Sequence, residues 1–179
     1  MQFVDEPKGR TEDVAAHFAE TFTAAEGPLE GALIGGLVRE LLTDTPPRDL
    51  HVFLACEGEA IIGGAIFSRM RHDQDARQVF ILSPMAVVPD RQGQGVGQAL
   101  LRHALAALRA QGVDVALTYG DPAFYAKAGF AQITQAQAAA PFALQQPEGW
   151  LGQSLTDAPF TPLKGAASCV GALRKPDLW

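Results

Sequence analysis

The sequence has few cysteines and no excess of positive charge, and each lack excludes a class of protein. Only 2 of 179 residues are cysteine, Cys56 and Cys169. They cannot form a disulfide framework, and neither has a histidine at metal-ligand spacing, so no metal site is expected. With 14 Lys and Arg against 20 Asp and Glu, the net charge is −6. This balance argues against a nucleic-acid partner, because such proteins normally present a basic patch.

Long apolar runs are also lacking. No predominantly apolar stretch reaches the length of a membrane span. Residues Met1 to Glu6 lack the basic region and apolar core of a secretory signal. We therefore expect no membrane partner and a cytoplasmic location. The content of 47% hydrophobic and 19% charged residues is typical of a globular protein, and the length predicts a single domain over residues 1–179.

The periodicity of the apolar residues predicts an α+β fold. Two N-terminal helices are expected, one beginning at Thr11 and one over about residues 29–42, with Leu29, Leu33, Leu37 and Leu41 on its apolar face. The later elements, in chain order, are strands over 51–56, 60–69 and 77–88, a helix over 95–111, strands over 113–119 and 130–134, an irregular connection over 135–164 and a last strand over 167–173.

The order of these elements predicts the sheet. Three consecutive strands joined by short turns form an antiparallel meander. The strand, helix and strand between residues 77 and 119 form a crossover, which requires one parallel pair and is expected to be right-handed. The expected sheet is therefore mixed and mostly antiparallel.

The segment from Val87 to Leu101 is the most informative part of the sequence. It leads from an apolar strand into an amphipathic helix through a turn with three alternate glycines, Gly93, Gly95 and Gly97. Residues without side chains let a ligand approach the backbone, and a helix start presents unpaired N–H groups. This combination predicts a cradle for a diphosphate group.

Two common phosphate motifs do not fit this turn. A P-loop ends in Gly-Lys-Ser/Thr, whereas Gly97 is followed by Gln98 and Ala99. A dinucleotide fingerprint needs G-x-G-x-x-G. Its third glycine is replaced by Gln98 if the motif starts at Gly93 and by Leu100 if it starts at Gly95. Both assignments therefore fail.

The remaining pattern, Gln92-Gly93-Gln94-Gly95-Val96-Gly97, resembles the Gln/Arg-x-x-Gly-x-Gly/Ala signature of the GNAT superfamily of acyl-CoA-dependent N-acetyltransferases. The block from Tyr119 to Phe130, which ends in Tyr-x-x-x-Gly-Phe, is similar to a second conserved block of that family. The resemblance covers about residues 50–134 and implies the acyl-CoA N-acyltransferase fold, with acetyl-CoA as the co-substrate and a small amine or exposed amino group as the acceptor.

The resemblance also implies which residues contact the co-substrate. Backbone groups of Met85, Ala86 and Val87 would pair with pantetheine amides, and an N–H of Ala86 or Val87 would stabilise the oxyanion. Phe124 is expected against the cofactor or in the core. The diphosphate would be held by Arg91, Gln92, Gly93, Gln94, Gly95, Val96 and Gly97; for Arg91 an exposed surface position is an equal alternative.

Tyr125 occupies the position where the family often carries the acid that protonates the CoA thiolate, and a core aromatic is its alternative. No carboxylate lies in the strand before the glycine turn. Asp121 is a candidate base, although we prefer a turn-forming role for an Asp-Pro pair. Ser83 would relay protons or serve structure, and His72 is expected on the surface.

These residues predict an N-acetyltransferase that works by direct attack of an amine on the thioester. A non-catalytic acyl-CoA-binding or sensory module is the competing hypothesis, favoured by the missing strand carboxylate. The resemblance also implies a homodimer as one expected assembly. The acceptor, the acyl-chain preference and the general base cannot be read from the sequence.

Overall fold

The computed structural model describes residues 1–179 and contains eight strands and four α-helices, joined by loops and short 3-10 turns. In chain order the elements are β1 Gln2–Asp5, α1 Thr11–Glu26, α2 Pro28–Asp44, β2 Leu50–Glu57, β3 Ala60–His72, β4 Val79–Val87, α3 Val96–Ala110, β5 Val115–Tyr119, α4 Pro122–Ala126, β6 Ala131–Gln132, β7 Trp150–Ser154 and β8 Ala167–Cys169. No helix combines the length and the apolar character needed to cross a bilayer.

The strands lie in the order β1-β2-β3-β4-β5-β7-β6, and β8 pairs with β3. β4 and β5 are parallel, from Val79 beside Val115 to Leu82 beside Thr118. The pairs β1–β2, β3–β8, β5–β7 and β6–β7 are antiparallel. The predicted α+β class, with a mixed and mostly antiparallel sheet and one parallel crossover through α3, is confirmed.

The chain divides into two compact units. Unit 1 comprises Met1–Phe67 and Pro84–Ala104, and unit 2 comprises Ser68–Ser83 and Leu105–Trp179. The single domain over residues 1–179 stays a prediction.

In unit 1, α1 and α2 pack closely through small residues. A Cβ atom at Gly31 would lie 2.5 Å from the Ala19 carbonyl oxygen and 1.8 Å from Thr23 Oγ1, so only glycine permits this approach. The predicted apolar face of α2 was partly wrong, since Leu29 is 88% and Leu33 52% exposed. The buried face instead carries Gly31, Ile34, Gly35, Leu37, Val38 and Leu41.

Unit 2 holds the two clearest corrections to the sequence analysis. The segment predicted to be an irregular connection contains β7, which pairs with both β5 and β6. His72, predicted at the surface, is only 3% exposed because β3 extends to this residue and pairs with β8. Its Nε2 lies 3.0 Å from the Ala139 carbonyl oxygen.

Candidate functional site

The turn between β4 and α3 lies in unit 1 and has an open backbone. A 3-10 turn over Pro89–Arg91 leads into Gln92, and α3 begins at Val96. Gly93 and Gly95 have φ angles of 71° and 82°, in the left-handed region that favours glycine. A Cβ atom built at either position would meet nothing within 4 Å. The glycines therefore serve the shape of the turn and leave the space above it free.

Five consecutive main-chain N–H groups of this turn, from Gly93 to Gly97, donate to no protein acceptor at hydrogen-bonding distance. The bond that closes the first turn of α3 runs from the Ala99 N–H to the Gly95 carbonyl, over 2.9 Å. Unpaired N–H groups at a helix start carry partial positive charge and suit an anion. The turn thus offers a row of donors where the sequence predicts a diphosphate cradle.

Two glutamine side chains hold the turn in shape. Gln92 Nε2 donates to the Val87 carbonyl over 2.9 Å, and Gln94 Nε2 donates to the Asp90 carbonyl over 2.7 Å. Both bonds link residues of the same short segment. The side chains of Gln92 and Gln94 therefore stabilise the conformation of the turn. The groups of the turn that are available to a ligand are its main-chain N–H groups.

Arg91 makes a salt bridge with Glu57, at 2.7 Å between Nη2 and Oε2. Its Nε lies 3.3 Å from both carboxylate oxygens. The guanidinium lowers the pKa of the Glu57 carboxyl. The positive charge beside the glycine turn is thus already balanced by a carboxylate that the sequence analysis did not connect to it.

The end of β4 carries the residues predicted to meet pantetheine. The ladder with β5 stops at Leu82, whereas β4 continues to Val87. Ala86 is buried, and Met85 and Val87 are partly exposed. Met85, Ala86 and Val87 thus lie on a segment of β4 beyond the residues that pair with β5.

His17 on α1 is a residue that the sequence analysis missed. It is 7% exposed, and its Nε2 has no hydrogen-bond partner. Burial lowers the pKa of His17 to about 4, an effect that the neighbouring backbone of Ala86 and Ile61 opposes in part. The imidazole is therefore neutral near pH 7 and lies beside the end of β4. No sequence signal could have shown this, because the contact joins distant parts of the chain.

Tyr125 lies in unit 2, on α4. Its ring packs edge-on against Phe124 and Phe130, with centroids 5.0 and 5.7 Å apart. Burial of the hydroxyl raises the pKa of Tyr125, and a hydrogen bond with the Thr118 side chain opposes this rise. A Cβ atom at Gly120 would lie 2.9 Å from the Tyr125 ring, so glycine there makes room for it. The phenol keeps its proton at neutral pH.

The other candidates of unit 2 have structural contacts. Asp121 Oδ1 accepts from the Ala123 N–H over 2.9 Å and caps α4, which favours the turn-forming interpretation over a role as base. Ser83 is partly exposed and lines a small cavity with Tyr119 and Trp179.

The predicted residues thus fall into two groups. Unit 1 brings together Met85, Ala86 and Val87 with the turn from Arg91 to Gly97, and unit 2 holds Ser83, Asp121, Phe124 and Tyr125.

Comparisons with known proteins agree with these features. A family model described as an acetyltransferase (GNAT) domain matches residues 48–132. The uncharacterized N-acetyltransferase YjhQ of Escherichia coli (strain K12) is 34% identical over 140 residues, which cover 75% of this chain and 76% of that protein.

Two solved structures have the same fold. The GNAT family N-acetyltransferase YhbS of Escherichia coli, in complex with CoA, has a TM-score of 0.80 at 21% identity and covers 97% of this chain and 92% of its own. A GNAT family acetyltransferase of Brucella melitensis, in complex with acetyl-CoA, has a TM-score of 0.69 at 23% identity and 96% coverage of each chain.

Proposed function

Because the chain belongs to the GNAT family of acyl-CoA-dependent acetyltransferases, we propose that it moves an acetyl group from acetyl-CoA to a primary amine. The amine attacks the thioester directly, within a ternary complex and without a covalent enzyme intermediate. The acceptor is a small amine or an exposed amino group. The cytoplasmic location and the homodimer stay predictions.

The row of unpaired N–H groups from Gly93 to Gly97 carries this proposal. A CoA diphosphate has oxygen acceptors and negative charge, which match those donors and the positive end of α3. The absent side chains at Gly93 and Gly95 leave room for its close approach. Because Arg91 is paired with Glu57, we assign most of the diphosphate binding to the main-chain N–H groups rather than to a cationic side chain.

Met85, Ala86 and Val87 are assigned to the pantetheine arm and the thioester. Strand backbone that is not used by β5 can bond to amides of a ligand in the manner of an added strand. An N–H of Ala86 or Val87 is the proposed donor to the oxygen that becomes negative during attack. Such a fixed donor stabilises the transition state more than the ground state.

Tyr125 is the proposed proton donor. Bound acetyl-CoA supplies an activated acetyl group whose leaving group is a thiolate, and protonation of the sulfur completes its departure. A phenol with a raised pKa is protonated at neutral pH, as this role requires. Ser83 stays a proposed proton relay, and Asp121 is assigned to the cap of α4.

Calorimetry and a thiol-release assay test the proposal in two steps. Titration with acetyl-CoA should give saturable binding, and CoA release should depend on an added amine from a panel of primary amines. Binding without acceptor-dependent release across the panel would support a non-catalytic acyl-CoA-binding module instead. No saturation at millimolar acetyl-CoA on folded protein would refute the assignment of the glycine turn.

A further inference from the structure

The Thr118 hydroxyl is a buried polar group at the end of the ladder between β4 and β5. Thr118 is 1% exposed and lies opposite Leu82, in the last pair of residues that the two parallel strands share. Its Oγ1 donates to the Leu82 carbonyl over 3.1 Å. A threonine hydroxyl has one hydrogen and two lone pairs, so this bond uses the hydrogen and leaves the oxygen able to accept.

The second contact of this hydroxyl is with Tyr125 on α4. The Tyr125 phenol forms a hydrogen bond with the Thr118 side chain. Because the Thr118 hydrogen already goes to Leu82, the phenol is the donor in the resting protein and Thr118 is the acceptor. The three groups therefore form a chain, from the Tyr125 O–H through the Thr118 hydroxyl to the Leu82 carbonyl.

The fold holds the Tyr125 ring where this bond requires it. Thr118 and Gly120 are two residues apart, a spacing at which an extended chain directs side chains to the same face. Gly120 has no side chain, and a Cβ atom there would lie 2.9 Å from Cε2 of the Tyr125 ring. Phe130 packs edge-on against the ring, with centroids 5.7 Å apart. The ring thus occupies the space that Gly120 leaves free, and its hydroxyl meets Thr118.

We propose that Thr118 is a positioning residue for the proton transfer assigned to Tyr125. In the resting protein it accepts the phenolic hydrogen and fixes the orientation of the hydroxyl. When Tyr125 protonates the CoA sulfur, the phenolic O–H bond breaks, an S–H bond forms and the phenolate keeps the electron pair. The Thr118 hydrogen then turns from the Leu82 carbonyl to the phenolate oxygen, and Thr118 keeps its own proton throughout. This inference rests on the proposed function, because the proposed acid is Tyr125.

The influence of Thr118 on the phenol agrees with this exchange of partners. Burial raises the pKa of Tyr125, the hydrogen bond with Thr118 lowers it, and the charge of Asp121 raises it. A bond that lowers the pKa of an acid stabilises its charged form, which here is the phenolate. Thr118 therefore makes proton donation by Tyr125 easier than an apolar side chain at this position would.

Thr118→Val tests the inference, since valine has nearly the same shape and lacks the hydroxyl. It should lower kcat for amine-dependent CoA release about tenfold and leave the acetyl-CoA dissociation constant unchanged. The alkaline limb of the kcat profile should move to higher pH, because the phenolate loses its donor. Thr118→Ser retains the hydroxyl and should restore kcat and the pH profile to near wild-type values.

A second readout follows the phenol without turnover. The chain has two tyrosines, Tyr119 and Tyr125. In protein labelled with ¹³C at tyrosine Cζ, the NMR signal that is absent from Tyr125→Phe belongs to Tyr125. Its titration should move to higher pH in Thr118→Val and stay in place in Thr118→Ser. Thr43→Val is the matched control, because it removes the same kind of bond in unit 1, from Oγ1 to the Arg39 carbonyl over 2.8 Å, and should leave the Tyr125 titration and kcat unchanged.

Three results would overturn the positioning role. The first is an equal Tyr125 titration in the wild type and Thr118→Val. The second is a loss of kcat in Thr118→Val that Thr118→Ser does not restore, which would indicate a packing role. The third is a further loss of the same size when Thr118→Val is added to Tyr125→Phe, since a residue that acts through Tyr125 has no effect once the phenol is gone.

Turnover and titration together separate the two proposals. A wild type that releases CoA with an amine, but whose Tyr125 titration Thr118→Val leaves in place, would overturn the positioning role and leave the proposed function standing. A wild type that releases no CoA with any amine would overturn the proposed function and with it the role of Thr118 in proton transfer. A shifted titration in Thr118→Val would then show the hydrogen bond alone.

Discussion

The guanidinium of Arg91 and the carboxylate of Glu57 are joined by a salt bridge, with 2.7 Å between Nη2 and Oε2. Glu57 ends β2, and Arg91 begins the glycine turn that we assign to the diphosphate. The carboxylate both orients the guanidinium and offsets its charge. An anionic ligand at this turn therefore meets less positive potential than the presence of Arg91 suggests.

Glu57→Gln should tighten acetyl-CoA binding about twofold to threefold at low salt, because it leaves the charge of Arg91 uncompensated beside the diphosphate. Calorimetry at two salt concentrations measures the effect, which should shrink at the higher one. Glu59→Gln, a like change in the turn after β2, is the control. The same acetyl-CoA affinity in both variants at low salt would show that the charge of Arg91 does not interact with the bound ligand.

Gly95→Asp should abolish acetyl-CoA binding, because it places a carboxylate where the diphosphate is assigned. Gly112→Asp is a matched control, since Gly112 follows the other end of α3 and has a similar φ of 84°. Each substitution strains a left-handed position and should cost about 1 kcal/mol of stability. Acetyl-CoA titration and urea unfolding of both variants separate a binding effect from a folding effect; equal losses of affinity would contradict the assignment.

Tyr125→Phe should lower kcat about a hundredfold and leave the acetyl-CoA affinity nearly unchanged, because only the proton donor is removed. Burial raises the pKa of Tyr125 above its ordinary value of 10.0. Wild-type turnover should therefore persist through neutral pH and fall only as the pH rises through that raised pKa. Steady-state kinetics across this range checks both statements, and a variant with wild-type kcat would remove Tyr125 from the mechanism.

Acid should destabilise the protein through His17. Its pKa is about 4 in the folded state against 6.5 for the free side chain, so the unfolded chain binds the proton more tightly. The stabilising effect is complete above pH 6.5 and is lost as the pH falls towards 4, and it amounts to about 3 kcal/mol.

His17→Gln should flatten this part of the pH dependence. Urea unfolding at pH 7 and pH 4.5 gives the difference for each protein, and the other titrating groups contribute alike to both. An equal loss of stability in the wild type and in His17→Gln would show that His17 is not protonated on unfolding.

Elements whose structure is determined locally could be predicted from the sequence. The helix after the glycine turn is amphipathic as predicted. Its apolar residues follow the 3.6-residue helical period and are buried: Val96, Leu100, Leu101, Ala104, Leu105 and Leu108. The stripe proposed for α2 failed because steps of four residues rotate about 40° too far each time, so Leu29 and Leu33 drift out of the face that holds Leu41. β7 was missed because its short run, with Gly152 and Gln153, has no clear alternation.

The candidate site also combines a feature that the local sequence determines with contacts between distant residues. The glycine turn could be predicted because its donors come from one continuous segment. The pairing of Arg91 with Glu57 and the burial of His17 beside Ala86 join residues far apart in the chain, and nothing in the local pattern indicates them. The general base likewise could not be predicted, because its position depends on which distant residues the fold brings together.

The bonds from Gln92 to Val87 and from Gln94 to Asp90 have a kinetic consequence. A loop that is braced before the ligand arrives loses little conformational freedom on association. Encounter with the nucleotide end of the coenzyme should then be rapid. Differences in affinity among acyl-CoA thioesters should appear mainly in their residence times.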